Sequence, residues 1–283
     1  MNRKTIIMMA VTVVSAMSLG SSCDQMAGSI GRGVGMSGGG GGTDTAGLIQ
    51  AGAKGVQAMG TFDPGEQELM GQTIAVSLAS SPGLVEEEKL NAYVTKVGLT
   101  IVSVCGRSDI DFTFGVLNDS NVNAISAPRG YVFVTRGALA QAKDEAELAG
   151  VLAHEIAHVV KDHGVETVRN DKLLDAGLTG AAAAAKDPWL ATGANLANRW
   201  KGVLYNPGQE RDADQLAVKY LKAAGYDPNG LSRFLERTGA GRDKQFSSHP
   251  PTSDRVAKLQ SLAGPNPPGQ RLPERYAASV KIP

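Results

Sequence analysis

The pentapeptide His154-Glu155-Ile156-Ala157-His158 constrains this chain more than any other feature. It sits in an apolar-periodic run through Leu148, Val151, Leu152 and Ile156, preceded by Asp144, Glu145 and Glu147, where acid suits the positive end of a helix dipole. On a helix, residues four apart differ by about 40° in direction and about 6 Å along the axis, so both imidazoles reach one metal ion. Glu155 projects beside that ion and is placed to take a proton from a water held there. The fold therefore needs a core helix with one polar face, and a third ligand delivered from elsewhere.

A third ligand close behind is excluded by the residues present. A chain that bends back after the pentapeptide needs Gly at 161 and His at 164, and Lys161 and Gly164 stand there instead. His163, nine residues after His154, falls about 180° round the helix and is expected to point away, as a cation near the helix end with Gly164 just beyond. The candidate is Glu210-Arg-Asp-Ala-Asp214, which opens a second amphipathic helix through Leu216, Ala217, Tyr220 and Leu221. Glu210 and Asp214 share a face. One carboxylate can bind the metal while the other accepts the free ring N–H of a ligand His; the plainer reading is a solvated acidic first turn.

His249, in Ser247-Ser-His-Pro-Pro251, is expected either as a removable fourth ligand or as a group that binds substrate oxygen. Arg255 could stabilise a developing oxyanion. The alternative is a helix entry capped by Thr252 or Ser253, with Arg255 in an ion pair.

Around this constellation the pattern is mainly helical. Helices are expected from Pro64, with Leu69, Ile74, Ala75 and Leu78 on one face, and from about Glu86 to Ser103. The runs Phe112–Leu117 and Gly130–Thr135 read as strands of a small antiparallel sheet. The fold class expected is α+β, a mainly helical domain with a small antiparallel sheet over residues 61–263, zincin-like by the family resemblance described below, with a Pro-rich tail, 264–283, lying over the domain or free in solvent.

The amino terminus reads as a targeting segment. Arg3 and Lys4 precede an apolar run from Ile6, and small residues follow, the layout of a signal peptide over 1–22. Cys23 resembles the acceptor cysteine of a bacterial lipoprotein; ordinary cleavage near the same point is the alternative. Fourteen of the 35 glycines fall within the first 60 residues, with an unbroken run from Gly38 to Gly42, so 23–60 is expected to be a flexible linker. The equal counts of 28 basic and 28 acidic residues argue against a general nucleic-acid partner. Cys105, in an apolar run, reads as a buried thiol.

Taken together, Asn123-Ala-Ile-Ser-Ala-Pro-Arg-Gly130 with Tyr131-Val-Phe-Val-Thr-Arg-Gly137, the segment His154 to His163, Glu210 to Asp214, and Ser248-His-Pro-Pro251 resemble the M48 family of zinc metallopeptidases, in its gluzincin arrangement. The resemblance runs from about residue 62 to 262. It implies one zinc ion per chain with His154, His158 and Glu210 as ligands, Glu155 as catalytic base and Asp214 behind a ligand. It also implies zinc-dependent endopeptidase activity on unfolded or misfolded polypeptides of the cell envelope. Relatives usually carry Ser and Arg ahead of the ligand Glu, where this chain has Tyr205-Asn-Pro-Gly-Gln209. The periplasmic branch is implied, because the apolar stretch 173–185 contains Asp175 and is too short to cross a bilayer. Substrate is expected to extend along Tyr131, Val132, Phe133 and Val134, near Asn123, adding a strand by main-chain hydrogen bonds. The rival function is a non-hydrolytic zinc-containing binding factor of the envelope. Membrane attachment would come through a lipidated Cys23.

Overall fold

The computed structural model describes residues 62–169, 200, 205–239, 249, 253–265 and 267–282. The expected leader, Cys23, the Gly-rich linker and the stretch 173–185 lie outside them. The fold is α+β and mainly helical, with one three-stranded sheet.

Helix α1, Pro64–Leu78, starts where Asp63 accepts hydrogen bonds from the Gly65 and Glu66 amides while Glu66 accepts from the Asp63 amide. This reciprocal cap, with Pro64 at the first position, satisfies amides the helix itself leaves free. It buries Met70, Gly71, Ile74, Ala75 and Leu78, and Leu69 just beyond that flank stays half exposed, contrary to expectation. Helix α2, Glu88–Val102, turns Leu90, Val94, Val97 and Ile101 into the core as its periodicity requires.

The sheet differs from the expected antiparallel one. Its strands are β1, Thr113–Leu117; β2, Ala124–Ala127; and β3, Tyr131–Thr135, in the spatial order β1-β3-β2. The two strands legible in the sequence, β1 and β3, pair in parallel. The turn Pro128–Gly130, with Arg129 at φ 63° and Gly130 at φ 98°, folds β2 back against β3 in antiparallel register, Ser126 opposite Val132. That reversal leaves β1 only the other side of β3. Strand β2 escapes a sequence reading because it is four residues long and, apart from Ile125, made of Ala and Ser.

Helix α3, Arg136–Gln141, leads into α4, Glu145–Val160, on which every residue from Glu145 to Val159 is buried. Asp144 caps α4 by accepting from the Glu147 amide at 2.9 Å. Helices α5, Pro207–Ala223, and α6, Gly230–Gly239, pack against it. Contact with α6 is close: a Cβ on Gly150 would fall 2.5 Å from the Leu231 nitrogen, and one on Gly230 would fall 2.0 Å from the Ala146 carbonyl. Helix α7, Ser253–Ala263, covers α5 and α6.

The acidic start of α4 is buried, with Asp144, Glu145 and Glu147 each 1% exposed. Buried charge needs partners, and arginines supply them. Arg233 and Arg271 each lie 2.9 Å from Asp144 Oδ2, Arg237 pairs with Glu147, and Arg275 pairs with Glu145. Tyr93 and Tyr226 also donate to Glu145, at 2.8 and 2.6 Å. Arg271 and Arg275 come from the tail, whose short helix α8, Pro273–Ser279, buries Tyr276. The tail thus lies over the domain and braces the helix that carries the pentapeptide.

Candidate metal centre

Four side chains converge at the polar face of α4. His154 and His158, one turn apart, bring their Nε2 atoms to 3.1 Å. Glu210, in the first turn of α5, lies 3.5 Å from each of these nitrogens through its two oxygens. Nδ1 of His249 stands 3.2 Å from His154 Nε2 and 2.7 Å from Glu210 Oε1. Donor atoms of the four residues all lie within 4.8 Å of one another.

The local sequence explains how Glu210 is presented. Asn206 caps α5, accepting from Gly208 and Gln209, while Gln209 returns a bond from the Asn206 amide. Pro207 occupies the first helical position, where a missing N–H costs nothing, so the departure from the usual Ser and Arg leaves the helix start intact.

This donor set fits a tetrahedral cation. Ligand atoms about 2.0–2.1 Å from zinc in a tetrahedron stand about 3.3 Å apart, close to most of the separations observed. The electrostatics point the same way. Burial alone would raise the Glu210 carboxyl, but the His249 charge and hydrogen bonds to His154, His158 and His249 hold it far below the ordinary range. Burial and Arg255 lower the His154 pKa, and hydrogen bonds to Asp214 and Glu210 outweigh them, taking it to about 9. Burial holds the His158 pKa well below its ordinary value. A buried carboxylate stabilised by the imidazoles around it marks a place where positive charge is favoured, and a bound cation would supply that charge in place of the ring protons.

The outer nitrogens of both α4 imidazoles are also engaged. Asp214 Oδ1 lies 3.0 Å from His154 Nδ1, as the spacing after Glu210 anticipates. His163 Nδ1 lies 3.0 Å from His158 Nδ1, which overturns the expectation that His163 points away. The helix does not continue straight. It stops at Lys161, Asp162 adopts φ 55°, and a new helical segment, 163–169, begins at His163 and buries it. Gly164 accordingly lies inside that segment, not beyond a helix end. Asp is among the few residues that adopt this left-handed conformation readily, and that was the one signal available. Tyr205, also without a role in the sequence reading, stacks on His158 with ring centroids 3.9 Å apart.

Arg255 enters from α7 as the ion-paired residue of the alternative reading. Its Nε and Nη2 grip both oxygens of Asp214 at 2.7 and 2.8 Å, and Nη1 donates to the His249 carbonyl at 3.1 Å. Nη1 also stands 2.8 Å from Glu210 Oε2, without the alignment of a hydrogen bond. Glu155 is fully buried beside the cluster.

The expected substrate residues fall otherwise. Tyr131, Val132, Phe133 and Val134 are at most 1% exposed, on a central strand paired along both edges, so no further strand can add to them. The outer edge near the site belongs to β2, just after Asn123. There the Ser126 carbonyl accepts a hydrogen bond from the Trp200 indole at 2.8 Å.

The family model described as Peptidase family M48 matches residues 88–263. The chain belongs to that family. Every member of the convergent cluster, from His154 to His249, falls within the M48 match. A Vibrio cholerae relative, provisionally named a beta-barrel assembly-enhancing protease, is 30% identical over 224 residues, covering 74% of this chain and 46% of its own length. The mitochondrial metalloendopeptidase OMA1 of Schizosaccharomyces pombe is 32% identical over 174 residues, 59% of this chain and 51% of its own. Metalloprotease YcaL of Escherichia coli is 24% identical over 226 residues, covering 77% of this chain and 88% of its own length. The chain thus spans about half the length of the first two of these relatives. Among the described residues, no helix is long and apolar enough to cross a membrane.

Proposed function

We propose that this M48 chain is a zinc-dependent endopeptidase that hydrolyses peptide bonds of unfolded or misfolded envelope proteins. The observation that carries the reading is the convergence of His154, His158 and Glu210 within coordinating reach of one point, with Glu155 buried alongside. His154, His158 and Glu210 would hold one zinc ion, and His249 a fourth position that substrate must open. Zinc, when bound, supplies Lewis acidity toward the scissile carbonyl and acidifies the attacking water.

The rest is the work of the chain's own residues. Glu155 takes the proton from the attacking water and later delivers it to the leaving amine. Asp214 and His163 hold the two ligand imidazoles by their outer nitrogens. Arg255, engaged by Asp214 and Glu210, positions them. Substrate lies in extended form along the edge of β2, its main chain replacing Trp200 at the Ser126 carbonyl. Such pairing reads backbone before side chains, which suits unfolded polypeptides.

The relatives named for beta-barrel assembly support an envelope setting, and the leader-like amino terminus supports export to the periplasm, with Cys23 as the lipid attachment point. The test is casein cleavage by wild type and Glu155→Gln, together with metal analysis. Wild type should cleave, lose activity to a chelator and regain it with zinc, while Glu155→Gln keeps zinc and cleaves nothing. Undiminished zinc-dependent cleavage by Glu155→Gln defeats the role of Glu155. Client binding without wild-type cleavage defeats the peptidase reading in favour of a binding factor.

A further inference from the structure

The carboxylate of Glu155 is held from one side only. Ser126, on β2, donates its hydroxyl to Glu155 Oε2 at 2.8 Å. The other oxygen, Oε1, is buried with no hydrogen-bond partner, and His249 Nε2 stands 3.3 Å from it. We propose that Ser126 is a positioning residue for Glu155, fixing one carboxylate oxygen so that the other faces the reacting water.

Three physical points support it. An ionised carboxylate only accepts hydrogen bonds, so the hydroxyl between them must donate. Glu155 is 0% and Ser126 4% exposed, so little bulk water competes for that bond. The last torsion of a glutamate is broad and roughly two-fold, so a carboxylate without such a donor has no fixed plane. Ser126 is itself rigidly placed, through its antiparallel pairing opposite Val132 and through the Trp200 indole on its carbonyl.

The arrangement also joins two tasks in one residue. In a strand the carbonyl lies in the plane of the sheet and the side chain stands out of it. Ser126 therefore offers its carbonyl to the outer edge of β2, where substrate pairs, and its hydroxyl to the base. Neither composition nor spacing in the run Asn123 to Gly130 marks it for this, because the bond joins residues 29 apart in sequence.

The inference rests on the peptidase reading, and its test separates the two. The full zinc-loaded chain is compared as wild type, Ser126→Ala and Ser126→Thr. A misplacement of about 1 Å at a reacting group costs on the order of a hundredfold in rate. The expected result for Ser126→Ala is a kcat lower by about tenfold to a hundredfold, with KM, zinc content and thermal midpoint unchanged. Ser126→Thr, which keeps the hydroxyl, should recover most of the rate. A crystal structure of Ser126→Ala should show the Glu155 carboxylate turned from its wild-type plane or in two orientations. An unmoved carboxylate overturns the proposal whether or not any form of the protein cleaves substrate. So does a kcat that stays near wild type, or a loss that Ser126→Thr fails to restore. Absence of cleavage by wild type would sink the peptidase reading alone, and the crystallographic comparison would still decide the role of Ser126.

Discussion

His163 Nδ1 lies 3.0 Å from His158 Nδ1, although the two residues are five apart and a straight helix would place them on different faces. The contact exists because the chain is turned at Asp162. With a cation on His158 Nε2, the ring proton would sit on Nδ1 and donate to His163, which would fix both tautomer and ring plane. Losing such a partner typically weakens a metal site by about 10–100-fold. His163→Leu should show that loss in competition with a chromophoric chelator, and His163→Gln should recover most of it. Equal zinc affinity in His163→Leu would mean that the contact only fills space.

The pair Asp214–Arg255 is buried on both sides, with side chains 6% and 8% exposed. Removing one partner of a buried pair strands the other charge, at a cost of about 3–5 kcal/mol. Asp214→Ala should therefore lower the free energy of unfolding in urea by that order, and Asp214→Ala combined with Arg255→Met should recover part of it. Additive losses in the double variant would show that the two charges do not depend on each other.

Acid should loosen the start of α4. Burial alone would raise the Glu145 carboxyl, but hydrogen bonds from Arg275, Tyr226 and Tyr93 outweigh it and hold the group below its ordinary value. The unfolded chain therefore takes up this proton first on acidification. The stability contributed is complete above the usual carboxylate pKa of about 4.3 and is lost as the pH falls through the folded value. Urea midpoints of the chelator-treated protein, followed from pH 6 to pH 3, should fall less steeply in Glu145→Gln than in wild type. Parallel curves would assign acid sensitivity to other groups.

His249 fills a fourth donor position, 2.7 Å from Glu210 and 3.2 Å from His154. His249→Ala should release zinc faster to a chelator while cleaving a short unstructured peptide more rapidly than wild type. A slower peptide reaction at full zinc occupancy would assign His249 to binding substrate instead of closing the site.

The parts of the site that are local in sequence were legible before any coordinates. His154, Glu155 and His158 share a helix whose geometry fixes their spacing. Glu210 and Asp214 share the first turn of another, capped by Asn206 and Gln209. Helix α2 follows from its apolar period, whereas α1 follows from its start at Pro64 and Glu66 more than from its apolar face, since Leu69 stays half exposed. Strand β2 was not legible, having too little β-branched or aromatic content to register, and without it β3, which is paired on both sides, read as an edge.

The sequence alone determined that His154 and His158, and likewise Glu210 and Asp214, stand one turn apart on one face of a helix, because helical periodicity depends on the backbone and needs no partner. Tertiary structure decided which groups surround them: His163 on His158, Ser126 on Glu155, Arg255 on Asp214, and the tail arginines on the buried acids of α4. Each of these contacts joins separate chain segments or depends on a single left-handed residue. Their energies come from burial and from the lowered dielectric that burial creates. Neither exists until the chain has closed around the site.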